Sequence, residues 1–549
     1  MQNERNGKSI VLCSDGTGNQ DVKARGSNVF KLYEAVDLHL HRREPGRRQQ
    51  IAYYDDGVGT EASLPRRVLG GAVGWGFCDN VCQLYTQLAH AYEPGDRLYL
   101  FGFSRGAYTV RALAGMIQYC GIVDLNQGGL LGKKDELDAH VKGCWKEFHD
   151  VAFTGEWDRK RAGRRAAEAG AASDPGRIDE ATATRRRRML AHAPESPLRI
   201  RMLGVWDTVS AVGMPVDELK ILTDLVWKSR FRDLTVGAEV ERACQALAID
   251  DERRTFRPEL WNEAQAREGQ VEQVWFAGVH SNVGGGYSKH GMSLVALDWM
   301  MAEAEQQGLV FIPADREYAR THQDVHDKLY DSREGLALYY RWEPRDIAAL
   351  CRKHEIASPK VHVSVFERIA LGTEGYAPGN LPANLTVVGT RKSLRPTPEQ
   401  LTAVRELVAS RPGAGAGLSL LHSGEIRSML ALGKLSHWVF LGATAVALYF
   451  AVEEALPGDH GIMERIRMAC GVVAEAVLAA WESPSAALKS LWPTWLDELP
   501  DSLLRTILSW PFIGALVFCY ALAAIVDYVM ERRFAGFWHA CRARLRALL

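Results

Sequence analysis

Neither sign of charge is in excess in this chain. Among 549 residues, 66 Lys and Arg stand against 67 Asp and Glu, a formal net charge of −1. That balance gives no global electrostatic case for a nucleic-acid partner. Metal-ligand spacing is missing as well. The ten cysteines are scattered, at 13, 78, 82, 120, 144, 244, 351, 470, 519 and 541. The nearest two, Cys78 and Cys82, have helical i, i+4 spacing with neither a second pair nor a His cluster beside them. They read as reduced, mostly buried thiols and not as a metal site or a disulfide framework. The first residues are polar and run into a strand without the apolar core of a signal peptide, so the N-terminal part is expected to be made in the cytoplasm. No Gly-Lys-Ser/Thr follows Gly16 and Gly18, and the third glycine of a dinucleotide loop is absent, which argues against a phosphate cradle there. Nothing calls for a cofactor or a metal.

The rest of the composition is that of a globular protein, 47% hydrophobic and 24% charged, long enough for two or three domains. Short apolar runs at Ser9 to Cys13, Ile51 to Tyr54, Leu198 to Val205 and Val274 to Val279 read as buried parallel strands. Helical periodicity separates them, over Phe77 to Tyr92 and Arg105 to Cys120. The alternation predicts an α/β fold with a mostly parallel sheet and flanking helices, over residues 1–400. An Ala-, Arg- and Gly-rich insertion at about 153–197 does not fit the sheet. Its run Arg185-Arg186-Arg187-Arg188 reads as a solvated segment, with contact to anionic lipid headgroups as the sharper alternative.

The C-terminal third differs. After a linker helix at 401–434, Leu435 to Val452 and Thr506 to Val526 carry no Asp, Glu, Lys or Arg over 18 and 21 residues. At about 1.5 Å per residue each nears the roughly 30 Å of a bilayer's hydrocarbon core. Residues 435–549 are therefore expected to form a transmembrane hairpin. Lys434 precedes the first span and Arg532, Arg533, Arg542, Arg544 and Arg546 follow the second, while residues 453–505 carry nine acidic residues and four Lys or Arg. Positive outer flanks predict both termini on the cytoplasmic side of the inner membrane. Ile466 to Trp481 reads as an interfacial helix. Trp438, Trp492, Trp495, Trp510 and Trp538 are candidate interface anchors.

The chemistry is carried by Leu100-Phe101-Gly102-Phe103-Ser104-Arg105-Gly106. A Gly-x-Ser-x-Gly that ends a strand and opens a helix is the pattern of a nucleophile elbow, which lifts the serine hydroxyl above the sheet edge. Ser104 then needs an imidazole to take its proton and a carboxylate to hold that imidazole, in the order Ser, Asp, His, each just past a strand. Asp207 ends Arg201-Met202-Leu203-Gly204-Val205-Trp206 and His280 ends Val274-Trp275-Phe276-Ala277-Gly278-Val279. An oxyanion hole is expected from the backbone N–H of Arg105 and from the loop at Gly16 and Thr17. Taken alone, an Asp after a strand is often only a helix cap, and a lone His is usually structural. The ordered set of three is what makes a serine hydrolase the leading reading.

These motifs resemble a known family. Asp15-Gly16-Thr17, Tyr53-Tyr54-Asp55-x-Gly57-Val58-Gly59-Thr60, Gly102 to Tyr108, Gly204 to Val209, Trp275 to Tyr287, Val361 to Arg368 and Tyr376 to Pro382 are similar to those of the domain of unknown function 2235 family, over roughly residues 8–385. That family includes the catalytic domain of type VI secretion phospholipase effectors, α/β-hydrolases that cleave glycerophospholipid esters. The resemblance implies Ser104 as nucleophile, His280 as base and Asp207 as acid. It implies a membrane phospholipid substrate at a lipid bilayer and an immunity or secretion protein as candidate partner. It leaves a secreted effector as the alternative location. An esterase or thioesterase on a soluble ester, and a non-catalytic membrane scaffold, are the competing functions. Family members usually carry Trp where Gly18 stands and Asp where Asn282 stands, so a carboxylate near the histidine is missing here.

Overall fold

Among the described residues all eight strands run parallel, in the order β2-β1-β3-β4-β5-β6-β7-β8. They are β1 (Ser9–Ser14), β2 (Gln50–Asp55), β3 (Arg97–Phe103), β4 (Ile200–Trp206), β5 (Val240–Ala248), β6 (Val271–Phe276), β7 (Lys360–His362) and β8 (Thr386–Val388). The computed structural model describes residues 7–16, 26–57, 76–152, 179–210, 235–334, 340–389, 397–410, 419–455 and 510–549. Thr17, Gly18, residues 153–178, Ile466 to Trp481 and the rest of the acidic segment from 456, with Trp492 and Trp495, lie outside them.

A parallel strand is covered on both faces, so it reads as a continuous apolar run whose neighbours face opposite sides. β1 does this residue by residue. Ile10 and Leu12 enter one core with Leu98, Leu100 and the helices α2 (Phe77–Ala91), α3 (Arg105–Cys120) and α4 (Lys134–Ala152). Val11 and Cys13 enter the other with Tyr99, Phe101 and helices that include α7 (Gly291–Gln306). The sheet is thus sandwiched between two helical layers, an α/β-hydrolase-like arrangement that leaves the strand C-termini to carry the site. The nine described cysteines are free thiols, all buried except the half-buried Cys78.

The described end of the insertion forms helix α5 (Glu180–Arg188), capped by the Asp179 carboxylate, which accepts from Thr182 N at 2.7 Å. Its four arginines are paired. Arg185 donates to Tyr119 O and Arg186, buried, to Gln118 O, while Arg187 meets Glu180 and Glu195 and Arg188 meets Glu147. The run therefore staples the helix to its surroundings, through carbonyls and through carboxylates.

The chain divides into two compact units, residues 1–340, 344–420 and 537–549 in one and 341–343 and 421–536 in the other. In the second, helix α10 (Gly424–Ala455) and the residues of α11 (Trp510–Leu548) up to Gly536 run antiparallel, since Glu425 pairs with Arg533 while Ser436 Oγ donates to Cys519 O at 3.0 Å. Among the described residues, one helix stretch, Gly514–Leu548, is long and apolar enough to cross a membrane by length and composition. Trp438 is exposed, but Trp538 is fully buried and donates from Nε1 to Pro378 O at 2.8 Å, so it anchors the tail to the first unit and not to an interface. Arg542 and Arg546 likewise donate to the carbonyls of Tyr376 and Ala370.

Candidate active site

Ser104 stands between β3 and α3 at φ 58° and ψ −120°, a backbone that a side chain adopts only under strain. The flanking glycines make the turn possible. A Cβ on Gly102 would meet Gly106 O at 2.5 Å, and one on Gly106 would meet Ser14 O at 2.1 Å. Ser104 N donates to Trp206 O at 3.1 Å, which ties the elbow to the end of β4 beside Asp207. The serine keeps 7% of its surface exposed, so it is more enclosed than an open elbow would leave it.

Asp207 is a second strained residue, at φ 39°, and is completely buried. Its Oδ2 accepts from His280 Nδ1 at 2.6 Å. Sequence reasoning missed the group behind it. Arg345 lies 138 residues away and grips both carboxylate oxygens, Nη1 to Oδ1 and Nη2 to Oδ2, each at 2.7 Å. Burial pushes the Asp207 carboxyl pKa up, but the Arg345 charge and hydrogen bonds, with His280, more than offset it and hold it well below the usual carboxylate range. Asp207 is thus an anion in a dry site.

His280 opens the short helix α6 (His280–Gly284) after β6. Its ring lies between Phe103 and Phe256, with centroids 4.6 and 5.1 Å away. Gly284 allows this closeness, because a Cβ there would fall 1.9 Å from the Phe103 ring. Burial is the largest influence on the imidazole and lowers its pKa, and Asp207 opposes without fully compensating. Nε2 is buried and has no hydrogen-bond partner among the described residues. With Asp207 ionised and accepting from Nδ1, the proton sits on Nδ1 and the lone pair on Nε2.

Two further carboxylates brace the histidine. Asp251 Oδ2 accepts from His280 N at 3.2 Å and from Arg253 Nη2 at 2.6 Å. Asp250 Oδ2 accepts from Gly278 N at 2.6 Å and Tyr376 OH at 2.9 Å, and burial pushes its pKa up to about 7. Sequence reasoning missed both; the signal that could have found them is the acid pair Asp250-Asp251 just past a strand, the same cue that marked Asp207. Asn282 turns away from this network. Its Oδ1 accepts from Val279 N and Tyr330 N, and its Nδ2 donates to Lys328 O. The missing family carboxylate therefore leaves His280 oriented by Asp207.

The loop after β1 does reach the elbow, since a Cβ on Gly16 would lie 3.1 Å from Ser104 Cβ. The Gly16 N–H donates to Asp15 Oδ1 at 2.6 Å, a bond it would have to exchange to act as an oxyanion donor. Asp15 is held in turn by Ser27 Oγ and Tyr54 OH, at 2.5 and 2.6 Å. Thr17, the other expected donor of this loop, is beyond the described residues. Arg105 opens α3, where the first amides of a helix have no intrahelical acceptor.

Comparison with known proteins adds the following. A family model described as the type VI secretion (T6SS) phospholipase effector Tle1-like catalytic domain matches residues 8–303. The uncharacterized protein YEL023C of Saccharomyces cerevisiae is 26% identical over 264 residues, 46% of this chain and 32% of that protein. This chain thus spans about a third of the length of that curated relative. An uncharacterized protein from Pseudomonas aeruginosa, solved by crystallography, aligns at 17% identity with a TM-score of 0.32, over 78% of this chain and 63% of its own. The Tle1 effector bound to the VgrG spike aligns at 17% identity with a TM-score of 0.26, over 52% of each chain. The family match runs from β1 through β6 and past the turn that carries His280, more than half of the sequence, and so the chain belongs to the Tle1-like phospholipase effector family of type VI secretion.

Proposed function

We propose that this protein is a membrane-associated serine carboxylic-ester hydrolase of the phospholipase A type, acting on glycerophospholipids through an acyl-enzyme. The observation that carries the reading is the 2.6 Å bond from His280 Nδ1 to a buried, ionised Asp207, together with a serine held at φ 58° whose amide donates to Trp206 O, the residue before Asp207. Ser104 Oγ attacks the acyl carbonyl carbon and His280 Nε2 takes its proton. The resulting oxyanion is held by the Arg105 amide, at a helix N-terminus whose dipole favours negative charge. Collapse expels the lysolipid alcohol, which recovers the proton from Nε2. Water then attacks the acyl-serine with the same base, and the fatty acid leaves. Asp207 stays ionised throughout and stabilises the imidazolium.

Membrane association is supported by α11, where Val517, Phe518, Tyr520, Ile525 and Tyr528 are all more than half exposed. Such a helix favours a bilayer over a soluble ester as the place of work. The family supports a secreted effector at a target membrane, with an immunity or secretion protein as partner, and the hairpin reading supports a resident inner-membrane enzyme. The test is fatty-acid release from phospholipid vesicles by wild type and Ser104→Ala. Release should fall by about three orders of magnitude or more in the variant, with loss of fluorophosphonate labelling. Release that survives Ser104→Ala overturns the proposal.

A further inference from the structure

Arg253 has hydrogen-bonding capacity that its neighbours leave unused, and it stands beside the candidate base. Its Nε and Nη2 donate to the two oxygens of Asp251 at 3.1 and 2.6 Å, and its own N–H donates to Asp251 Oδ1 at 3.0 Å. The guanidinium carbon lies 3.5 Å from the centre of the Phe256 ring. Nη1 makes no hydrogen bond among the described residues. The Asp251 oxygen that takes Nη2 also takes the His280 amide, and the Phe256 ring that carries the guanidinium meets the His280 imidazole edge-on at 86°. One carboxylate oxygen and one phenyl ring therefore separate Arg253 from His280.

We infer that Arg253 recognises the phosphate of a glycerophospholipid substrate and so separates phospholipid from neutral acylglycerol. This rests on the ester-hydrolase reading above. In a glycerophospholipid the phosphodiester is attached to the same glycerol as the scissile ester, a few bonds from the acyl carbonyl. A cation next to the base that serves this carbonyl is within its reach. The arginine is already immobile, clamped along one edge by Asp251 and across one face by Phe256, so little conformational freedom is lost when Nη1 takes an anionic oxygen. That bond is charge-assisted and in a largely dry site. Asp251 does not cancel the attraction outright, because its charge is also drawn on by Arg345 and by the His280 amide. A role limited to clamping Asp251 would involve the same two nitrogens and would leave the choice of substrate unaffected, which is how the two roles separate.

The experiment uses the full chain in detergent micelles and compares phosphatidylglycerol with a diacylglycerol of the same acyl chains. Arg253→Gln should lower kcat/KM on the phospholipid by about tenfold to a hundredfold, mostly through KM, as expected for one charge-assisted hydrogen bond. The diacylglycerol rate should fall by much less, because that substrate loses only the brace on Asp251 and no phosphate contact, and a measurable rate shows that the variant is folded. Arg253→Lys should restore part of the phospholipid rate by returning the charge without the fork. If Arg253→Gln does not fold, the lysine variant decides, by a smaller loss confined to phospholipid. Equal losses on both lipids, or no loss on either, overturn the inference. Ser104→Ala in the same assay isolates the underlying reading. If it abolishes both activities while Arg253→Gln fails to discriminate, the hydrolase stands and only the phosphate assignment falls.

Discussion

The two compact units treat charge and apolar surface in opposite ways. The first sinks full charges into its interior and meets them with opposite charges, hydroxyls or carbonyls. Asp207 and Asp251 are completely buried and held by Arg345 and Arg253, and the buried Arg368 donates to Val325 O and Asp327 O. Among its described residues the second carries the exposed pair Arg533 and Glu425 and turns large apolar side chains outward with them. Its helices touch through small and polar groups, Ser436 with Cys519, and through a modest cluster around Trp342, Ile426 and Val526. A helix pair that shows Phe518 and Tyr520 to solvent gains by being covered, which a bilayer does at no cost in hydrogen bonds.

The largest test of this contrast removes one matched ion. Arg345→Met leaves Asp207 charged in a dry site and two acceptors, Ala248 O and Phe256 O, without their donor. Breaking a buried pair from one side costs about 3–5 kcal/mol, so the denaturant midpoint should drop sharply and ester hydrolysis with it. Adding Asp207→Asn removes the stranded charge and should recover most of the stability while leaving the enzyme inactive. Wild-type stability in Arg345→Met would mean that the buried charges of the first unit are not the matched set described here.

That dependence on a distant partner also marks where the sequence stops being legible. β1 and β3 were readable because both faces of a parallel strand are covered, which makes an uninterrupted apolar run. β5 was not, because Glu241, Arg242 and Gln245 interrupt it, and Gln245 is buried only by virtue of its bonds to Thr208, Glu259 and Gln273. β7 and β8 are three residues each, too short for any period to show. Ser104, Asp207 and His280 stood out because each follows a strand that could be read. Arg345 stands after no strand, and only the folded chain brings it to Asp207. Asp250 and Asp251 would have been found by the same strand-end rule had β5 been visible.

A smaller effect is expected from the second unit. Phe518→Ser and Tyr520→Ser remove exposed apolar surface without touching the sheet. Burying one large apolar side chain is worth about 1.5–3 kcal/mol, so each substitution should weaken sedimentation with phospholipid vesicles by about tenfold to a hundredfold. Hydrolysis of a short soluble ester should be unaffected. If the soluble-ester rate falls in parallel, the helix pair serves the catalytic unit directly and the division of labour between the units is wrong.

The smallest effect is a shift in pH dependence, and it separates the units by what titrates. His280 accepts a proton only while it is neutral. Burial lowers its pKa below the ordinary 6.5 of an imidazole, so the ring stays neutral, and the enzyme active, as pH falls through that value. The acid limb of kcat/KM on a soluble ester should therefore lie below pH 6.5. Asp207 does not set it, because Arg345 keeps that carboxylate ionised at still lower pH. Phe256→Ala admits water to one side of the imidazole, weakens the desolvation that holds the pKa down, and should move the limb up toward the ordinary value. A wild-type limb above 6.5, or one that Phe256→Ala pushes further down, contradicts burial as the dominant influence on His280. Vesicle binding should be flat over the same range, since Val517, Phe518 and Ile525 have nothing to titrate. Binding that tracks turnover with pH would place titrating groups of the first unit at the lipid surface and dissolve the contrast between the buried ions of the first unit and the exposed apolar side chains of the second.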